Sequence, residues 1–227
     1  MKREDVRLRS RRFELIVWDW DGTLADSTAI IATALQNACA AMGIAIPSAR
    51  AARHVIGLGL ADALQQVAPG LPEARHPELT QHYRNHYLHH DADIPLFAGA
   101  AELLADLRST GHLQAVATGK SRRGLDRAME QYGLRGMFAA SRCADEGCPK
   151  PHPDMLLYLM DRLNVRPAQT LMIGDTSHDI HMAHNSGVTA VAVAYGAHPV
   201  EELMAADPVT VVQSVGELRR WLTSFLW

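Results

Sequence analysis

Lysine is nearly missing from this chain. Only Lys2, Lys120 and Lys150 occur in 227 residues, and the stretch 25–94 has none, so no chemistry that needs a lysine amine is seated there. Charge of either sign is not in excess: Lys plus Arg total 22 against 25 Asp plus Glu, a formal charge of −3. That near balance argues against a nucleic-acid or membrane-surface binder. Cysteine is sparse as well. Cys39, Cys143 and Cys148 are odd in number and unhelpfully spaced, which argues against a disulfide framework. No apolar run reaches the roughly 18 residues of a membrane span. The basic start MKREDVRLRSRRF is not followed by the apolar stretch of a secretory signal, so it reads as a solvated leader on a cytoplasmic, reduced protein. The remainder is ordinary for a globular chain, 48% hydrophobic and 21% charged, and long enough for one or two cored domains.

Short apolar runs are what the chain does have. ELIVW (14–18), LQAVA (113–117), TLMIG (170–174), TAVAVA (189–194) and VTVV (209–212) are bounded by turn residues, with a weaker candidate in MFAASRC (137–143). Runs of this length suit strands buried on both faces, the habit of a parallel sheet. Helical patterns lie between them at 100–111, 121–133, 152–164 and 177–187, and three of these stop at a glycine. Alternation of strand and helix predicts an α/β fold with a doubly wound, Rossmann-like parallel sheet. Residues 25–94 break the rhythm. Helix-like stretches at 27–43, 59–68 and 77–90 occur there without a convincing strand. The division expected is a core of 1–24 plus 95–227 carrying an inserted all-helical domain, 25–94.

The polar residues fall in a pattern. LIVWDWDGTLADS ends an apolar run with Asp19 and Asp21, two carboxylates that strand geometry would place on one face at a cost in free energy. The second strand ends in Thr118, Gly119 and Lys120, and TLMIG runs into Asp175 with Asp179 four residues on. Lys150 lies between two prolines in CPKPHPD. Ligands of open α/β sheets bind outside the carboxyl ends of the strands, so these groups are expected to converge. Clustered carboxylates suit Mg²⁺, and a lysine with a threonine hydroxyl suits phosphate oxygens, which together indicate phosphoryl transfer. Taken singly, Asp-Gly is also a common turn, Thr118 a strand-end hydroxyl, Lys150 a loop charge and Asp179 a first-turn acid.

With these residues in order, the chain resembles the haloacid dehalogenase superfamily. DWDGT is similar to its first motif, Thr118 in VATGK to its second, Lys150 in KPHPD to its third, and GDTSHD to its fourth, with 25–94 where that family places a helical cap. KPHPD and GDTSHDI resemble the phosphoglycolate phosphatase group most. The resemblance implies a Mg²⁺-dependent phosphomonoester hydrolase working through an aspartyl-phosphate. Asp19 would be the nucleophile and Asp21 the general acid and base. Thr118, Gly119 and Lys150 would hold the phosphoryl group. Asp19, the main-chain carbonyl of Asp21, and Asp175 would hold the metal, with Asp179 in support. Gly57 and Gly59 in GLGL mark a candidate substrate loop, against a plain turn between helices. Asp21 argues against the dehalogenases, which lack an acid there. The absence of lysine from 25–94 argues against the phosphonate hydrolases, which need one. The partner expected is a small phosphorylated metabolite, phosphoglycolate first. A phosphosugar mutase and a pyrophosphatase stand as alternatives, followed by a non-catalytic phospho-ligand binder. The chain does not disclose its oligomeric state.

Twelve histidines tempt a metal reading. His178, His181 and His184 recur every three residues and His82, His86, His89 and His90 crowd one segment, but solvated or core histidines account for them better. C-x₄-C at Cys143 and Cys148 is a weak metal signal, and His152 in the third motif has no assigned role.

Overall fold

The computed structural model describes residues 13–226, so the basic leader falls outside the described residues except for Phe13. β1 (Leu15–Trp18) is followed by four helices with no strand among them: α1 (Thr28–Ala41), α2 (Ala49–His54), α3 (Leu60–Val67) and α4 (His76–His90). Helix and strand then alternate through α5 (Ala100–Ser109), β2 (Leu113–Thr118), α6 (Arg122–Gln131), β3 (Ala140–Cys143) and α7 (Asp154–Leu163). The alternation continues through β4 (Thr170–Gly174), α8 (Ser177–Asn185), β5 (Thr189–Val193), α9 (Val200–Ala205), β6 (Thr210–Val212) and α10 (Val215–Leu226).

The six strands form one parallel sheet in the order β3-β2-β1-β4-β5-β6. All four residues of β1 are buried because it lies between β2 and β4, with Trp18 in register with Val116 and Ile173. Alternate strand residues feed opposite faces. Ile16, Trp18, Val116 and Ile173 pack with Leu104, Leu125 and Leu218, while Leu15, Val17 and Met172 pack with Met155, Leu159 and Ile180. From β1 the chain winds outward one way through β2 and β3, then the other way through β4, β5 and β6. The carboxyl ends of β1 and β4 therefore flank the point where the winding reverses, the usual ligand crevice of such sheets.

Helices α1 to α4 pack on one another, α1 against α2 and α4, and α3 against α4. Three helices lie outside the segments that the sequence pattern marks as helical. α2 and α9 have only six residues each, too few to show a period. α10 does carry one: Val215, Leu218 and Leu222 are buried at helical spacing. The weak strand 137–143 is confined to Ala140–Cys143, because Arg135–Met137 form a short 3₁₀ turn.

Candidate active site

Asp19 is the first residue beyond β1, and its N–H donates to the Ile173 carbonyl at 2.9 Å, so the sheet itself fixes it between β1 and β4. The backbone then turns sharply. Gly22 has φ +85°, and a Cβ there would stand 2.0 Å from Asp175 Oδ2, so only glycine lets the turn pass this close. The turn separates the two carboxylates that strand spacing alone would have set side by side. Asp21 accepts from the Ser27 hydroxyl at 2.7 Å and pairs with Lys120 Nζ at 3.1 Å, whereas Asp19 faces the opposite group of residues.

Around Asp19 the sheet ends converge. Lys150, from the loop between β3 and α7, is fully buried and sets Nζ 2.6 Å from Asp19 Oδ1 and 2.6 Å from Asp179 Oδ1. Asp179 is held by the start of α8. Its Oδ2 accepts from the Thr176 N–H (3.1 Å) and hydroxyl (2.7 Å), while Thr176 caps the helix in return. Asp175, just past β4, accepts from the Thr23 hydroxyl at 2.8 Å and from the Ala197 N–H at 2.7 Å. Thr118 is buried at the end of β2, and its hydroxyl oxygen accepts from the Lys120 N–H at 3.2 Å.

The electrostatics are unbalanced. Ligand atoms of Asp19, Asp175 and Asp179 all lie within 4.8 Å of one another, and the single Lys150 ammonium leaves two negative charges over if all three are ionised. Burial pushes the Asp19 carboxyl well above the usual range; Lys150 opposes this, and Asp179 and Asp175 add to it. Asp175 is pushed up to about 7, by burial first and then by Asp179. Lys150 stays raised although burial opposes it, because two carboxylates hold its proton. Asp19 Oδ2 is buried without a hydrogen-bond partner among the described residues, a costly state that a cation would relieve. Hard oxygen donors with that charge deficit fit a divalent ion such as Mg²⁺. The carboxylates nearest one another are thus Asp19, Asp175 and Asp179, with the Asp21 side chain turned away.

A family model for haloacid dehalogenase-like hydrolases matches residues 16–193, which takes in every residue named in this site except Ala197. The chain belongs to the haloacid dehalogenase-like hydrolases. It is 34% identical to the "Probable phosphatase IndB" of Dickeya dadantii (strain 3937), over 90% of this chain and 91% of that one. It is 31% identical to the phosphoglycolate phosphatase of Vibrio parahaemolyticus, over 90% and 94%. In fold it is similar to a hydrolase from Pseudomonas syringae, with a TM-score of 0.86 over 95% of this chain and 100% of that one at 22% identity.

Two further features of this haloacid dehalogenase-like chain frame the site. The segment between α2 and α3 reaches the core: a Cβ on Gly119 would lie 2.4 Å from the Leu58 carbonyl oxygen and 2.7 Å from that of Gly57. Gly57, at φ +93°, approaches Thr176 less tightly, a Cβ there lying 3.1 Å from the Thr176 hydroxyl oxygen, and Gly59 packs beside Pro149. Lys120, which the sequence marks only as the end of a strand, belongs to the site as well. It is nearly buried between Asp21 and the Tyr87 hydroxyl (2.7 Å) of α4, where Tyr83 stacks on Tyr87. Its proximity to a motif was the only signal in the sequence. His152 is exposed and accepts from the Asp154 N–H; Cys148 is exposed and Cys143 buried, both as free thiols. His181 and His184 are exposed, whereas His178 is not and meets His54 and His198, two histidines the sequence did not group with it. No helix among the described residues is long and apolar enough to cross a membrane.

Proposed function

We propose that this haloacid dehalogenase-like phosphatase hydrolyses the phosphomonoester of a small metabolite through a phosphorylated Asp19, with Mg²⁺ as its metal and phosphoglycolate as the first candidate substrate. The observation that carries this reading is the contrast between the two carboxylates: Asp19 buried against Lys150 with one oxygen unpartnered, Asp21 turned toward Ser27 and Lys120. Asp19 attacks phosphorus, the ester oxygen leaves with a proton from Asp21, and Asp21 then takes a proton from the water that hydrolyses the acyl-phosphate. Thr118, the Gly119 amide and Lys150 hold the phosphoryl oxygens in line. Asp19, Asp175 and the main-chain carbonyl of Asp21 hold the metal, with Asp179 orienting Lys150. Bound there, Mg²⁺ supplies positive charge against the phosphoryl oxygens. Residues 25–94 serve as a cap whose Gly57–Gly59 loop closes over the site. On the leaving-group side Lys120 and Tyr87 offer a cation and a hydroxyl, which suit a short leaving group bearing a carboxylate.

A screen of phosphoglycolate, pyrophosphate, a sugar phosphate and a nucleoside monophosphate, read as free phosphate with and without Mg²⁺, tests this. Mg²⁺-dependent release is expected, with the highest kcat/KM for phosphoglycolate, and none from Asp19→Asn. Transfer of phosphate between sugar positions without release would make the protein a mutase instead.

A further inference from the structure

Outside the aspartate site, three side chains that the phosphatase chemistry leaves unused converge where α2 meets the core. His54 ends α2, His198 lies just before α9 and Glu202 within it, and one ligand atom from each falls within 4.8 Å of the other two. Glu202 Oε1 is 3.0 Å from His54 Nδ1 and 2.8 Å from His198 Nδ1. The tautomer of His198 follows from its other nitrogen. Nε2 lies 3.0 Å from the His54 carbonyl oxygen, which can only accept, so Nε2 carries a hydrogen. The Ser177 N–H, which can only donate, points at Nδ1 from 3.1 Å, so Nδ1 presents a lone pair, and a carboxylate oxygen of Glu202 stands 2.8 Å from it. The Ser177 hydroxyl, 3.2 Å from both, has one proton for two acceptors, and the Ser177 N–H at 3.1 Å reaches Nδ1 alone. Two acceptors in contact are unfavourable unless a proton or a metal cation joins them, and the Ser177 N–H already occupies the proton's side of Nδ1.

We propose that His54, His198 and Glu202 form a second metal site, for a divalent transition-metal ion of the Zn²⁺ type, and that an ion there fastens α2 to the core. Two imidazoles and one carboxylate are a donor set that Zn²⁺ accepts with a fourth position left to water. The hydrogen bond from His198 Nε2–H to a backbone carbonyl is the support that fixes a ligating histidine in its tautomer. His178, edge-on to His54 and His198 at 5.6 and 5.0 Å and also bonded to the His54 carbonyl, walls one side. The His54 side chain is 47% exposed, which gives the ion an entry path. The site has a consequence for turnover. His54 directly precedes the Val55–Gly59 loop, whose Gly57 and Leu58 carbonyls press on Gly119. An ion bridging His54 to His198 and Glu202 holds that loop down over the aspartates and slows its opening.

The full chain, stripped with a chelator and then saturated with Mg²⁺ to fill the carboxylate cluster, is titrated with Co²⁺ and back-titrated with Zn²⁺. The site predicts one Co²⁺ per chain with the intense visible bands of a four-coordinate, nitrogen-containing ion, discharged by Zn²⁺. His54→Ala and Glu202→Gln weaken binding by about 10–100-fold or more, while Asp175→Asn retains it. Zn²⁺ also lowers wild-type phosphate release saturably, and His54→Ala escapes that loss. Absence of the bands, or equal Co²⁺ affinity in wild type, His54→Ala and Glu202→Gln, overturns the site. Zn²⁺ binding with unchanged turnover overturns the fastening of the loop.

Discussion

Asp19 and Asp21 show how far two similar residues can be driven apart by their surroundings. Asp19 is buried against Lys150 and two other carboxylates, whereas Asp21 shares its charge with Lys120 and a hydroxyl. The motif positions were legible in the sequence because a carboxylate or hydroxyl that ends a buried apolar run is costly there unless something binds it. The pairing of Lys120 with Asp21 and Tyr87 was not, since it depends on which side chains meet once a helix 33 positions away has packed. That pairing carries a prediction. Lys120→Met removes a charge-assisted contact worth about 1.5–3 kcal/mol, so kcat/KM falls roughly 10–100-fold, while Tyr87→Phe costs less. Steady-state kinetics on both variants checks it, and an unchanged Lys120→Met would remove Lys120 from the leaving-group side.

Among the elements, β1, β2, β4 and β5 were readable to within about a residue because each is an apolar run buried almost throughout, whereas β3, ASRC and only partly buried, is three residues shorter than the run that suggested it. α2 and α9 were not, since a six-residue helix has no period and is stabilised by what it packs on. The loop between α2 and α3 was visible as two glycines, but its destination became visible only when Gly119 was found beneath the Leu58 carbonyl. A methyl group at Gly119 must displace that backbone. Gly119→Ala therefore lowers kcat/KM on the order of a hundredfold by misplacing the loop and the second motif together. Circular dichroism should show the fold retained. Wild-type kinetics in this variant would mean that the contact yields freely.

For the molecule as a whole, the doubly wound sheet brings four distant segments to one point, and the charge gathered there weakens the metal-free fold. In the folded state Asp175 titrates at about 7, against an ordinary 3.8. Between those values the folded chain keeps a proton that the unfolded chain has released, so stability falls as pH rises from about 4 to about 7. Thermal melts in chelator should show a fall across that window that is shallower in Asp175→Asn, and Mg²⁺ should restore the loss at neutral pH. Equal slopes in the two proteins would contradict the assignment. The central claim is that a phosphoryl group passes through Asp19, and trapping that group tests it most directly. Asp21→Asn, given p-nitrophenyl phosphate, whose leaving group needs no acid, should be phosphorylated but slow to hydrolyse. After acid quench, peptide mapping should find the phosphoryl group on Asp19. Turnover of phosphate esters with the group on another residue, or on none, would contradict the account.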